Sequence, residues 1–137
     1  MITLQDYFGD KVHSVEYNLN ALTLLYRVNN LLAAYITDTG NLVLINPVTG
    51  NQISGSTSGD GGFRLQTSTT GGSKSAHRQG MAVDIYDIGG QYLDKWLDKN
   101  PDALIKYDLY REEASQTINW CHLSTRKPLS ARRTFKP

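Results

Sequence analysis

The stretch Ser75-Ala-His-Arg-Gln-Gly-Met-Ala-Val-Asp84 constrains this chain more than any other. It sets His77 and Asp84 on either side of Gly80 and runs directly into the alternating segment 81–86. In an extended backbone successive side chains point to opposite faces. Met81, Val83 and Ile85 therefore share one face, and Ala82, Asp84 and Tyr86 the other. Residues 118–123 offer a partner strand, with Ile118, Trp120 and His122 on one face and Asn119, Cys121 and Leu123 on the other. If the two strands are neighbours, Asp84 and His122 meet on one face and His77 reaches them from the preceding loop. Zinc accepts imidazole nitrogen and carboxylate oxygen, and a catalytic zinc has three protein ligands with the fourth position open. His77, Asp84 and His122 are therefore the expected ligands of one zinc ion. A closed, purely structural zinc ranks below this, because the loops around the three ligands leave the site open.

The rest of the chain reads as support. Leu22, Leu25, Val28, Leu32 and Tyr35 recur at spacings of three and four, which predicts an amphipathic helix capped by Asn18 or Asn20 and stopped at 37–41. Residues 1–16 are weakly patterned, and Val12, Val15 and Tyr17 fit a short strand or a docking arm. Short strands are expected at 42–45 and 63–65, the second with Arg64 on the face opposite Phe63 and Leu65. Residues 54–62 read as a mobile loop beside the site, and residues 67–74 as another polar, glycine-rich loop. A helix over 91–99 stops at Asn100-Pro101, and 102–110 forms a short helix or turn leading into a strand. Close strands joined by turns predict an α+β fold: a small, mainly antiparallel sheet with helices packed on one side and the zinc site at the sheet edge. His13 reads as a surface residue and Trp96 as core. Cys121 also reads as core, because it points away from its neighbour His122 and cannot work with it as a nucleophile.

Composition narrows the function classes. The chain has 137 residues, enough for one domain spanning 1–137 with a modest core. A net charge of +1 gives no global attraction to nucleic acid or to a membrane surface, so neither is an expected partner and the chain is expected to be a monomer. Its single cysteine excludes an intrachain disulfide. No apolar run approaches the ~20 residues of a membrane span. No basic region followed by an apolar run opens the sequence, so no signal peptide is expected. No glycine cluster follows a strand and opens a helix with dinucleotide-binding spacing. The basic tail, Arg126, Lys127, Arg132, Arg133 and Lys136, reads as solvated surface with weak attraction to an anionic cell wall.

The pattern Ser75-x-His77-x-x-Gly80-x-Ala82-x-Asp84-Ile85 resembles the signature S-x-H-x-x-G-x-A-x-D-[IVL] of the zinc D-Ala-D-Ala carboxypeptidase and L-Ala-D-Glu endopeptidase family. Bacterial cell-wall peptidases, vancomycin-resistance dipeptidases and phage endolysins belong to it. Trp120-x-His122 resembles the family's second motif, W-x-H. Asp60-Gly-Gly-Phe-Arg64 resembles the upstream S-G-[YF]-R, with Gly61 where Ser is usual. Gly71-Gly72 resembles the glycine just before the first motif. The three matches follow the family's order, and the ending at 130–137 also resembles small phage members.

The resemblance implies a small sheet with helices, zinc on His77, Asp84 and His122, and hydrolysis of D-Ala-D-Ala or L-Ala-D-Glu bonds in the peptide stems of bacterial peptidoglycan. It implies that Arg64 holds a substrate carboxylate or stabilises the oxyanion, roles suited to a permanently charged planar fork. Ser75, Gln79 and Trp120 would lie on the substrate side. One departure matters: many members carry Glu three residues before the last His, and this chain has Asn119 there, which cannot act as a base. Small phage members are similar to this chain in having a Glu about ten residues before the His. That implies Glu112 as general base, with Glu113 as the alternative and Asp87 as a remoter one. The expected setting is a phage or prophage enzyme, in the host cytoplasm until lysis or carried by the virion. The alternative is a non-catalytic cell-wall-binding or virion structural protein that retains the metallopeptidase fold.

Overall fold

The computed structural model describes residues 1–55, 60–68 and 75–137. The first helix, α1 (Leu4–Phe8), starts with a reciprocal cap: the Asp6 amide donates to Thr3 Oγ1 at 3.0 Å, and the Thr3 amide donates to Asp6 Oδ2 at 2.9 Å. Such a box satisfies two backbone donors that a helix start would otherwise leave unpaired. The second, α2 (Val15–Thr39), is capped by Ser14 and ends at Gly40 in the left-handed conformation. The expected strand or arm at the N-terminus is instead two helices with Val12 in the link between them, and the long helix begins before Asn18. Val15 and Leu19 are exposed, so they lie off the apolar stripe that made the periodicity visible. Leu22, assigned to that stripe from the sequence, is exposed as well. The face that α2 buries carries Ala21, Leu24, Leu25, Val28, Leu31, Leu32 and Tyr35.

Four strands follow: β1 (Ala82–Tyr86), β2 (Tyr110–Glu112), β3 (Trp120–Ser124) and β4 (Thr134–Phe135). Their order in the sheet is β1-β3-β2-β4; β3 is antiparallel to β1 and β2, and β4 joins β2 in parallel. Helices α3 (Leu93–Lys99) and α4 (Asp102–Lys106) lie between β1 and β2 in the chain. Val83, Ile85, Cys121 and Leu123 belong to the same buried cluster as the apolar face of α2, with Leu93, Leu97 and Leu104. The fold is thus α+β, as expected, with a mixed four-stranded sheet. Trp96 packs against this core, its ring 5.7 Å from that of Tyr35.

Two predicted strands do not form. Leu42 and Ile45 are 78% and 51% exposed, and residues 42–45 have no ladder to join. The outer edge of β1 is taken instead by residues 52–54: the Ser54 amide donates to the Asp84 carbonyl and the Tyr86 amide to the Gln52 carbonyl, both at 2.8 Å. Residues 63–65 also stay outside the sheet, because the Phe63 and Arg64 amides bond to the carbonyls of Tyr7 and His77. Phe63 is buried while Leu65 is exposed, so the two do not share a face. Much of the expected loops at 54–62 and 67–74 falls on residues 56–59 and 69–74, outside the described residues, as does Gly71-Gly72.

Behind the sheet Arg111 is buried against α3, its guanidinium 3.0 Å from Asp94 Oδ1 and 2.6 Å from Asp98 Oδ1. Burial pushes the Asp94 carboxyl up to about 6, even though Arg111 favours its charge.

Candidate metal centre

The register of the sheet builds the centre. Asp84 on β1 stands opposite His122 on β3, and matching parity puts both on the face away from the helices. Arg111 stands opposite Leu123, so one further residue sets Glu112 opposite His122. The result is a row of side chains, Asp84, His122 and Glu112, across three strands. The site therefore lies on one face of the sheet, with Asp84 on the outer strand β1 and His122 on the inner strand β3.

His77 arrives from a short 3₁₀ turn, Ala76–Gln79, just before β1. Ser75 Oγ accepts the His77 amide at 3.3 Å and fixes the start of the turn. Gly80 ends it with φ +73°, and a Cβ there would meet the Tyr17 carbonyl oxygen at 2.6 Å, so only glycine fits. His77 Nδ1 lies 2.9 Å from the Gly62 carbonyl; that oxygen can only accept, so Nδ1 carries the proton and Nε2 turns toward Asp84. The backbone thus sets the tautomer and ring orientation that a metal-binding imidazole requires.

His77 Nε2 is 3.3 Å and His122 Nδ1 2.8 Å from Asp84 Oδ1. Arg64 Nη2 sits 3.5 Å from Asp84 Oδ2, and its Nε donates to the Asp60 carbonyl at 2.8 Å. One ligand atom from each of His77, Asp84 and His122 lies within 4.8 Å of the others, and all three residues are buried. Burial opposes charge on Asp84, yet His77 and then His122 outweigh it and hold the carboxyl well below the usual carboxylate range. Burial lowers the pKa of His122, but the hydrogen bond and charge of Asp84 raise it further, for a net upward shift. A buried carboxylate approached by two imidazole nitrogens is a donor set that suits a divalent cation. The three residues form a buried group that can hold a metal ion.

The carboxylates offered as bases separate clearly. Glu112 Oε1 is 3.9 Å from His122 Nε2, and Glu112 lines the same cavity as the three donors. It gets there by the pairing of β2 with β3. Glu113 does not line that cavity, and its carboxylate lies 3.8 Å from Lys136 Nζ. Asp87 accepts the amides of Tyr92 and Asp94 and so caps α3, far from a base's task. Asn119 Oδ1 accepts the Gly89 amide at 3.1 Å, a turn-fixing role.

The cavity has a volume of about 480 Å³. Arg64, Ser75 and Trp120 line it, as the sequence led us to expect. Gln79 does not; its carbonyl accepts Asn20 Nδ2 and its side-chain oxygen accepts Arg126 Nη1 at 3.1 Å. Arg126 and Phe135 also line the cavity, which no motif or spacing in the chain signals. Arg126 reads as one more charge in a basic tail, and Phe135 reaches the wall only through the two-residue strand β4. Cys121 is fully buried on the other face, where burial pushes its thiol well up, and His13 is exposed.

Comparison of the chain with protein-family models, with curated proteins and with solved structures returned no match.

Proposed function

We propose that this protein is a zinc-dependent peptidase that hydrolyses peptidoglycan stem peptides at a bond of the D-Ala-D-Ala or L-Ala-D-Glu type. The observation that carries the reading is the joining of the His77, Asp84 and His122 donors with the Glu112 carboxylate in one cavity. Zinc held by those three residues supplies a Lewis acid for the scissile carbonyl and a water of lowered pKa. Glu112 takes a proton from the attacking water and passes it to the amine as the C–N bond breaks. Arg64 holds Asp84 in orientation and presents a guanidinium to the cavity, where it meets a substrate carboxylate or the developing oxyanion. Trp120 gives the substrate an apolar wall.

Asn119 is the feature that favours a non-catalytic wall-binding protein. Glu112 supports the catalytic reading over that one, because it brings a carboxylate to the donors from a neighbouring strand. The same reading takes the protein to be a monomeric phage or prophage enzyme acting on the cell wall. Among the described residues, no helix is long and apolar enough to cross a membrane. Incubation of the zinc-loaded protein with purified sacculi, followed by mass spectrometry, tests the proposal. Released D-Ala or new amino-terminal D-Glu supports it, and intact stems with zinc bound to the protein refute it.

A further inference from the structure

We infer that Arg126 selects substrates by a free carboxylate on the carbon that bears the scissile nitrogen. This rests on the peptidase reading above and adds to it the chemical feature by which the leaving residue is recognised.

Arg126 lies two residues beyond β3, in a segment that the sheet holds in place. The Thr125 amide donates to the Met81 carbonyl at 2.9 Å, which prolongs the pairing of β3 with β1. The Arg126 amide donates to Ser124 Oγ at 2.9 Å. Its guanidinium donates to Gln79 Oε1, and Gln79 stands two residues after His77 on the same 3₁₀ turn. The Gln79 backbone is itself tied to α2 through Asn20. The Gln79 amide thus ties the Arg126 guanidinium to the turn that carries a metal donor.

The cavity's charges point the same way. Among the charged side chains of the residues that line it, two are guanidiniums, of Arg64 and Arg126, and two are carboxylates, of Asp84 and Glu112. Arg64 is engaged with Asp84 and with the Asp60 carbonyl. A bound dication makes the balance positive, so an anionic group on the substrate is favoured. Both candidate bonds supply one at the same place. In a terminal D-Ala, and in a D-Glu whose chain continues through its side-chain carboxyl, the α-carboxylate is free and sits on the carbon next to the scissile nitrogen. A single planar fork can therefore serve either bond, donating two parallel hydrogen bonds to the carboxylate and discriminating against the α-amide.

The test uses the zinc-loaded full chain and two matched pairs of peptides: one ending in D-Ala as carboxylate or amide, the other L-Ala-D-Glu with its α-carboxyl free or amidated. Wild type should favour the carboxylate by about 10- to 100-fold in kcat/KM, chiefly through KM, as expected for a hydrogen bond to a charged group. Arg126→Met should bring that ratio to about one, Arg126→Lys should keep part of it, and Arg132→Met, on the exposed tail, should leave it intact. Zinc content and melting temperature establish that each variant is folded. A ratio near one in wild type, or a folded, zinc-bound Arg126→Met that keeps the wild-type ratio, overturns the assignment of Arg126 alone. Cleavage of neither peptide by zinc-loaded wild type overturns the peptidase reading, and the inference with it.

Discussion

Gly61→Ser would install the residue that the resembling family usually carries, and the structure says this chain will not accept it. A Cβ at position 61 would lie 1.9 Å from the Ser54 carbonyl oxygen and 2.7 Å from its carbon. Ordinary contact begins near 3.4 Å, so the two segments must part by about 1.5 Å (3.4 − 1.9). Both segments are bonded to Asp84: its amide donates to the Gly61 carbonyl, and its carbonyl accepts the Ser54 amide, each at 2.8 Å. A shift of that size breaks at least one of the two. A buried donor left unpaired costs about 1–3 kcal/mol, and residual strain brings the expected loss to about 2–4 kcal/mol. For a domain of this length that is a fall of roughly 6–15 °C in Tm. Because Asp84 is the shared partner, its carboxylate moves as well, and zinc affinity should drop about tenfold or more. Thermal melts in chelator and zinc titration by calorimetry read the two effects. Gly61→Ala should behave alike, since the clash belongs to the Cβ. A Gly61→Ser protein that melts with wild type and binds zinc equally well would refute the reasoning.

Glu112→Gln should lower turnover about 10²–10⁴-fold with zinc still bound, while Glu113→Gln stays close to wild type; the reverse order in a peptide-cleavage assay would move the base to Glu113. Arg64→Lys keeps charge but loses the fork that spans Asp60 and Asp84, and kcat/KM should fall about 10- to 100-fold; a wild-type rate would remove Arg64 from the site. In zinc-free protein the Asp84–His122 pair sets a pH optimum. The lowered Asp84 contributes stability above its unfolded value of about 3.9 and loses it as pH falls through its folded value, whereas the raised His122 contributes below about 6.5 and loses it as pH rises through its folded value. Asp94, raised to about 6, loses its contribution as pH rises through that value, so denaturant melts in chelator should peak toward the acid end of this window, near pH 4, and stability climbing from pH 6 to 8 would contradict this. Zinc affinity should run the other way, weakening as protons compete for His122 at lower pH.

The pairing of Asp84 with His122 was legible because strand alternation is local. The parity of residues 81–86 and 118–123 alone sets Asp84 and His122 on matching sides, and the core partners Val83, Ile85, Cys121 and Leu123 on the other. The apolar run at 42–45 misled, since hydrophobicity does not reveal that segment 52–54 occupies the edge of β1. The early helices carried signals that the periodicity hid: Thr3 and Asp6 in a capping box, and Ser14 three residues before Tyr17. That Glu112 lines the cavity and Glu113 does not needed the register of β2, which ends at Glu112 beside His122. Arg126 was illegible because its position depends on Gln79, which is distant in sequence.

Zinc analysis of wild type, His77→Ala and His122→Ala after equilibration with the metal and removal of excess tests the central claim most directly. Wild type should retain about one zinc per chain, with an X-ray absorption edge showing nitrogen and oxygen neighbours and no sulfur, and each variant should lose it. Full occupancy in both variants, or a sulfur-bound zinc in wild type, would contradict a centre built on His77, Asp84 and His122.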